Sequence, residues 1–232
     1  MREPLIIGHR GASAVALENT MPAFEAAVAA GADGIEFDVH LSRDGVPVII
    51  HDETLTRTHG LRRRVVDLSA DELREIGVPS LRQLFELMVQ NDMLLCLEIK
   101  GRSPELAALC CRLVDDFSFR ERVIVECFDL EVIRTITTLK TAALFDSRIN
   151  TNQRLIDRGM EVGASVLALH HRLVTASLVE KAKAAGFEVI VWTVDSPAWV
   201  AQAKSLGIKA LITNDPAMMI EASDRLRVEL MG

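Results

Sequence analysis

Short apolar runs rich in valine, isoleucine and leucine alternate along the chain with longer segments in which apolar residues recur at helical spacing. The short runs have the length and composition of buried β-strands, and the longer segments have those of amphipathic helices. This alternation is typical of a parallel sheet whose strands are joined by helical crossovers. The pattern predicts strands at 5–8, 34–40, 46–51, 93–100, 123–128, 141–145, 165–170, 188–194 and 210–213.

One of these nine runs follows its predecessor too closely to be its parallel neighbour. Parallel neighbours need a crossover of a dozen or more residues, whereas the link from residue 40 to residue 46 is a turn containing Asp44-Gly45. Residues 46–51 are therefore predicted to be a hairpin arm. The eight strands that remain, each followed by a helix or a long connection, predict an α/β fold, a (β/α)8 barrel with an extra β-hairpin arm after its second strand.

The hairpin is expected to bring a histidine back to the barrel. With its tip at residues 43–44, pairing back along the two arms sets Val48 near Val39. The same register sets His51 close to Glu36.

The helical segments agree with this count of barrel strands. A cap and an early proline at Glu18-Asn19-Thr20-Met21-Pro22 precede a helix that ends at Gly31. No Pro/Ser-rich seam or repeat divides the chain, so residues 1–232 are expected to form a single domain. Further helices are predicted at 81–90, 104–116, 130–139, 152–162, 175–185, 197–206 and 216–230.

Composition narrows the class of protein. Among 232 residues, 49% are hydrophobic and 25% charged, which is typical of a globular protein, and the net charge of −7 argues against nucleic acid as a partner. The N-terminus has no signal-peptide core, and no apolar run is long enough to span a membrane, so we expect a cytoplasmic protein without stable membrane association. Four cysteines without CxxC spacing are expected to be reduced, buried thiols. The oligomeric state stays open.

Polar side chains that could take part in catalysis or binding lie on, or directly after, several of the predicted strands. Active sites of (β/α)8 barrels lie at the C-terminal ends of the strands, so these side chains should meet there. They are His9 and Arg10 after the first strand, Glu36 and Asp38 on the second, Glu98 and Lys100 on the next barrel strand, and Trp192 on a later one.

Spacing along the strands groups the carboxylates. Glu36 and Asp38 are two residues apart and point to the same side, as do Glu98 and Lys100. Neighbouring strands would then set three carboxylates around one point, which repulsion makes costly without a cation. An oxygen-only donor set suits Mg²⁺ or Ca²⁺ better than Zn²⁺, so one such divalent cation is the predicted cofactor.

A series of short elements in fixed order resembles the glycerophosphodiester phosphodiesterase family. No single tripeptide carries this resemblance; the order and number of the elements do. They are His9-Arg10-Gly11, Glu18-Asn19-Thr20, Glu36-Phe37-Asp38-Val39, Asp44-Gly45, His51-Asp52-Glu53-Thr54-Leu55-Thr56-Arg57-Thr58, Glu98-Ile99-Lys100, Trp192-Thr193-Val194 and Thr213-Asn214-Asp215-Pro216.

The resemblance implies a metal-dependent barrel hydrolase that converts a small glycerophosphodiester into sn-glycerol 3-phosphate and an alcohol. In the family's usual scheme the glycerol 2-hydroxyl attacks phosphorus, and water then opens a cyclic phosphate. By position, the resemblance implies metal binding by Glu36, Asp38 and Glu98, acid/base catalysis by His9 and His51, and phosphate binding by Arg10 and Lys100.

Several assignments stay open at this point. The sequence does not decide whether His9 or His51 starts as the base, nor which alcohol departs. Trp192 suits core packing and a platform for the glycerol backbone equally, and Glu18 and Asn19 suit a helix cap or a supporting role. A lysophospholipase-D-like activity on lysolipids and a barrel that binds phosphodiesters without cleaving them are the alternative functions.

Overall fold

The computed structural model describes residues 3–147 and 152–231, the side chains of 152 and 229–231 excepted. Its strands match the predicted ones, with ends that differ by at most two residues. They are β1 (Leu5–His9), β2 (Gly34–Leu41), β3 (Pro47–Ile49), β4 (Leu94–Ile99), β5 (Val123–Cys127), β6 (Lys140–Phe145), β7 (Val166–His170), β8 (Glu188–Trp192) and β9 (Ala210–Thr213).

Eight of these strands close into a parallel barrel. They are hydrogen-bonded in the order β1-β9-β8-β7-β6-β5-β4-β2, and β2 pairs again with β1 to complete the ring. β3 lies outside the ring and pairs antiparallel with β2. The predicted (β/α)8 barrel with an extra hairpin arm is confirmed.

Helices connect the barrel strands, and the region after the hairpin adds short ones. The sequence placed no helix between residues 51 and 81, where Thr56–His59 and Ala70–Glu75 are helical. A capping box, in which Ser69 and Glu72 satisfy each other's backbone N–H, marks the start of the second and is visible in the sequence. The helices are α1 (Met21–Ala29), α2 (Thr56–His59), α3 (Ala70–Glu75), α4 (Leu81–Met88), α5 (Pro104–Asp116), α6 (Leu130–Thr135), α7 (Asn152–Glu161), α8 (Ala176–Ala184), α9 (Ala198–Leu206) and α10 (Pro216–Met231).

The register of the hairpin differs by one residue from the prediction. Val39 lies opposite Ile49, and His40 opposite Val48. The tip contains three residues rather than two, because Ser42 and Val46 close it and Gly45 adopts a left-handed φ of 75°. His51 therefore follows β3 as a loop residue and is not paired with Glu36.

The apolar core has two layers. Inside the barrel lie small and branched side chains of alternate strand positions, among them Ile7, Cys96 and Ile124. A larger layer lies between the strands and the surrounding helices. Two residues further along β4 and β5 the inward positions hold Glu98 and Glu126, so the C-terminal end of the barrel changes from apolar to acidic.

Two sequence expectations bear on the environment of the protein. Within the described ranges, no helix has both the length and the apolar composition needed to cross a membrane. All four cysteines are free, three of them buried and Cys111 half-buried.

The turn that closes the hairpin gives a stability prediction. The buried Ser42 Oγ accepts a hydrogen bond from the Val46 backbone N–H at 2.9 Å and lies 2.7 Å from Asp44 Oδ1. Ser42→Ala leaves that N–H without its partner, so we expect it to lower the free energy of unfolding by about 1–2 kcal/mol in urea titrations. The exposed Ser205→Ala is the matched control and should stay within about 0.5 kcal/mol of the unsubstituted protein. Equal unfolding midpoints for both variants would contradict this role.

Candidate active site

A cavity of about 120 Å³ opens at the C-terminal end of the barrel. All but one of the predicted site residues line it, and the exception, Asp38, is buried in contact with the lining cations. The structure therefore brings these residues together at the C-terminal end of the barrel, and their roles stay predictions. The lining residues are His9, Arg10, Glu36, His51, Glu98, Lys100, Glu126, Phe128, Leu144, Trp192 and Ile212.

The acidic cluster consists of the three carboxylates that spacing had grouped. Each of Glu36, Asp38 and Glu98 offers a carboxylate oxygen, and these oxygens lie within 4.8 Å of one another. All three side chains are buried. Oxygen donors at such short separations fit a hard divalent cation, so the cluster is a group that could bind a metal.

Two cations compensate part of the cluster's charge. Lys100 Nζ lies 2.8 Å from Asp38 Oδ1 and 2.6 Å from Glu98 Oε1. Arg10 Nε lies 3.2 Å from Asp38 Oδ2, and the Arg10 backbone N–H donates to Glu36 Oε2 at 3.0 Å. Arg10 makes both contacts from a left-handed backbone with φ of 55°, an uncommon conformation for a residue other than glycine.

The carboxylates respond differently to this environment. Burial, reinforced by neighbouring carboxylates, raises the pKa of Glu36 well above its usual range. Burial and the charge of Asp38 raise the pKa of Glu98 to about 7. Burial opposes ionisation of Asp38 as well, but Lys100 and Arg10 outweigh it and lower the pKa of Asp38. Asp38 is therefore the fixed anion of the cluster, and the two glutamates gain most from an added positive charge.

His9 is held in one orientation by an amide. Its Nδ1 lies 2.7 Å from Asn214 Oδ1, and its Nε2 lies 3.9 Å from Glu36 Oε2. The amide itself is fixed, because Asn214 Nδ2 donates to Asp195 Oδ2 at 2.6 Å. Burial and the nearby charge of Arg10 lower the pKa of His9 to about 4, so the ring is neutral at pH 7.

His51 is held by a carboxylate instead. Its Nδ1 lies 2.6 Å from Asp52 Oδ1, and Asp52 in turn accepts a hydrogen bond from Arg57 Nε at 2.7 Å. Burial lowers the pKa of His51 below its ordinary value, while the charge of Asp38 and the hydrogen bond to Asp52 act in the opposite direction.

Glu18 connects the surroundings of His9 and His51 through hydrogen bonds to two arginines. It accepts hydrogen bonds from Arg57 at 2.7 and 2.8 Å and from Arg10 at 2.7 Å. Its neighbour Asn19 donates to Asp38 at 2.7 Å. The N-cap of α1 is Thr20, with no side-chain capping bond, so of the two roles left open the structure favours support of the site.

Aromatic rings form one wall of the cavity. Phe128 and Trp192 meet edge to face with centroids 5.7 Å apart, and His170 packs against Trp192 at 5.1 Å. Trp192 lines the cavity, and its Nε1 is buried without a hydrogen-bond partner among the described residues.

Four lining residues were not predicted from the sequence, and Glu126 is the charged one among them. It lies opposite Glu98 in the pairing of β5 with β4 and is 1% exposed. Burial and the charges of Glu98 and Asp38 raise its pKa to about 8. The sequence does contain a signal for this residue. Glu126 follows the inward-facing Ile124 by two positions, so its side chain points to the same side of the strand.

Known proteins resemble the chain in sequence and structure. The model of the glycerophosphoryl diester phosphodiesterase family matches residues 9–218. A glycerophosphodiester phosphodiesterase of Caldanaerobacter subterraneus subsp. tengcongensis is 30% identical, over 93% of this chain and 96% of that protein. The crystal structure of a glycerophosphodiester phosphodiesterase from Thermotoga maritima has a TM-score of 0.85 at 28% identity, and covers 95% of this chain and 99% of that one.

A third likeness concerns the fold alone. A phosphodiesterase of Oleispira antarctica, solved in complex with the product sn-glycerol-3-phosphate, has a TM-score of 0.85 at 24% identity. The match covers 96% of this chain and 97% of that one.

Fold and cavity define the protein as a (β/α)8-barrel enzyme with an acidic site that contains two histidines. The chain belongs to the glycerophosphoryl diester phosphodiesterase family, which confirms the resemblance carried by its motifs. It is accordingly a phosphoric diester hydrolase.

The buried His9 gives a prediction about pH. Because its pKa in the folded protein is about 4 against an ordinary 6.5, the unfolded protein binds more protons between these values. His9 therefore lowers the free energy of unfolding as the pH falls through this interval. Above the interval His9 has no effect on it. We expect an NMR titration of the metal-free protein to give a His9 midpoint near pH 4, and a midpoint at or above 6.5 would contradict the burial argument.

Proposed function

We propose that the enzyme hydrolyses small glycerophosphodiesters to sn-glycerol 3-phosphate and an alcohol. The observation that carries the proposal is one cavity lined by two histidines, each held at Nδ1, together with two cations and the acidic cluster. The names of the Caldanaerobacter and Thermotoga proteins and the product bound to the Oleispira protein support the same substrate class.

Arg10 and Lys100 are proposed to bind the phosphate. A phosphodiester is already an anion, and its hydrolysis gathers further negative charge on the nonbridging oxygens. Both cations line the cavity, and their contacts with Asp38 keep the two charged groups in place. Arg10 is suited to two oxygens at once because guanidinium donors form a planar fork.

Glu36, Asp38 and Glu98 are proposed to hold one divalent cation, Mg²⁺ or Ca²⁺. The donor set is oxygen alone, and burial has raised the pKa of Glu36 and Glu98, so the charged cluster lacks compensation that a cation would provide. When bound, the ion would stabilise the charge that develops on the phosphate oxygens.

His9 is proposed to start as the base. Asn214 gives its amide hydrogen to Asp195, so its Oδ1 is an acceptor and His9 Nδ1 must donate to it. The neutral ring then carries its lone pair on Nε2, the atom on the side of Glu36. That atom would take the proton of the glycerol 2-hydroxyl as the oxygen attacks phosphorus and a cyclic phosphate forms.

His51 is proposed to start as the acid. The carboxylate of Asp52 accepts from Nδ1 and opposes the lowering of the His51 pKa by burial, and Arg57 keeps Asp52 in place. His51 would give its Nε2 proton to the departing alkoxide. The two histidines would then exchange roles as water opens the cyclic phosphate.

A second candidate activity is hydrolysis of lysolipids. The loop between β1 and α1, which carries Arg10 and Glu18, also exposes Val15 (74%) and Leu17 (47%). Exposed apolar side chains beside a site favour an apolar substrate portion. Binding of phosphodiesters without cleavage is the third outcome that the assay separates.

The assay of the proposed function uses purified protein with glycerophosphocholine and with a lysophosphatidylcholine. We expect glycerol 3-phosphate from the first substrate, loss of turnover with EDTA, and recovery with Mg²⁺ or Ca²⁺. No product from a panel of head groups would refute the proposal. Faster turnover of the lysolipid would favour the second candidate.

The two histidines are tested by His9→Ala and His51→Ala. Loss of a general acid or base is expected to lower kcat by roughly 10²–10⁴-fold in each variant, with unchanged circular dichroism. His59→Ala, which alters a histidine outside the cavity lining, is the matched control and should keep full activity. Undiminished turnover in either cavity variant would rule out its assigned role.

A further inference from the structure

Two polar atoms of the cavity residues have neither a hydrogen-bond partner nor an ion-pair partner among the described residues. Among the described residues, nothing pairs with Glu126 Oε2 or with Trp192 Nε1, and both atoms are buried. Both side chains line the cavity. A buried polar group without a hydrogen-bond partner lowers the stability of the folded protein. Two such atoms on residues of one cavity therefore point to a ligand that supplies the missing hydrogen bonds.

The two atoms have opposite hydrogen-bonding character. An indole N–H can donate and cannot accept, whereas a carboxyl oxygen accepts. A hydroxyl group donates one hydrogen bond and accepts others, so its chemistry matches both kinds of atom. The neighbouring wall of Leu144, Ile212 and Phe128 is apolar, which suits the carbon atoms that carry such a hydroxyl.

The ion pairs of the cavity favour an uncharged ligand, and not the phosphate, beside Glu126. The cations of the cavity, Arg10 and Lys100, both contact Asp38, whereas no ion pair involving Glu126 is present in the described part of the chain. An anion is attracted to the cations, so the phosphate is expected on their side of the cavity and an uncharged part of the substrate beside Glu126.

A cationic head group is the competing ligand for a carboxyl group near aromatic rings. Glu126 is 1% exposed, and Phe128 beside it is 42% exposed. The departing alcohol differs between substrates and must leave, which suits the exposed side. The glycerol unit is common to every substrate and suits the buried side.

We propose that Glu126 and Trp192 bind the terminal hydroxyl of the glycerol unit, the one that does not attack phosphorus. This inference rests on the function proposed above and adds a basis for selectivity. An acyl ester at that position has no hydrogen to donate, so a lysolipid would leave Glu126 unpaired. The subsite therefore selects deacylated glycerophosphodiesters over lysolipids.

The test compares two phosphocholine diesters, one of glycerol and one of propane-1,2-diol, which keeps the attacking hydroxyl and lacks the terminal one. We expect kcat/KM to be roughly 10–100-fold higher for the glycerol substrate, because a buried group built to hydrogen-bond a hydroxyl rejects an analogue without it. Glu126→Leu and Trp192→Phe should reduce this ratio to within about 3-fold of one, chiefly through KM for the glycerol substrate.

Two further variants separate recognition from structure. Glu126→Gln keeps an acceptor oxygen and should retain most of the ratio. Glu188→Leu makes the same chemical change at the opposite end of the barrel, where Glu188 begins β8 and pairs with Lys140, and should leave the ratio unchanged.

The contrary outcomes are distinct. A ratio near one in the unsubstituted enzyme, or an equal loss for both substrates in Glu126→Leu, would overturn the inference. A loss confined to choline diesters and absent for an uncharged head group would identify Glu126 as a head-group contact and overturn it too.

Product binding gives a readout independent of turnover. Calorimetry should show tighter binding of glycerol 3-phosphate than of propane-1,2-diol 1-phosphate, and Glu126→Leu should remove the difference. An enzyme that cleaves neither diester yet keeps this selectivity would refute the proposed function and support the subsite. Equal binding of the two products would overturn the subsite whatever the turnover.

Discussion

Closure of the barrel forces carboxylates from three neighbouring strands into one small buried volume, and the rest of the site is arranged around their repulsion. Glu36, Asp38, Glu98 and Glu126 lie on β2, β4 and β5, and their side chains are buried. Among the described residues, Lys100 and the guanidinium of Arg10 offset part of this negative charge, and both form ion pairs with Asp38. Glu98 shares Lys100 with Asp38, yet burial still raises the pKa of Glu36, Glu98 and Glu126. A folded protein bears such a cost where ligands bind.

The fold could be predicted because each of its signals is local. Apolar runs and their lengths gave the strands, and the short link after residue 40 excluded a parallel crossover. The hairpin register was wrong by one residue, because the sequence shows Asp44-Gly45 but not that Ser42 closes a three-residue tip. A side chain's choice of partner decides such a turn, and that choice depends on distances that a sequence does not contain.

The site, like the fold, could be predicted from the sequence only in part. Residues two apart on one strand, such as Glu36 and Asp38, could be grouped from spacing alone. Hydrogen bonds between side chains from different strand ends could not, such as the one between His9 and Asn214, which are 205 positions apart. Glu126 was within reach of the alternation argument, since it follows the inward-facing Ile124 by two residues. It was missed because it belongs to none of the motifs that carried the resemblance.

The order of the two proton transfers follows from hydrogen bonds remote from the phosphate. Asp195 fixes the amide of Asn214, and the amide fixes the tautomer of His9, so a carboxylate that never meets the substrate determines which ring nitrogen is free. At His51 a carboxylate in direct contact acts against the lowering of the ring's pKa by burial. An amide behind one histidine and a carboxylate behind the other therefore distinguish two otherwise identical side chains. On this argument the asymmetry of the mechanism lies in Asn214 and Asp52, not in the histidines.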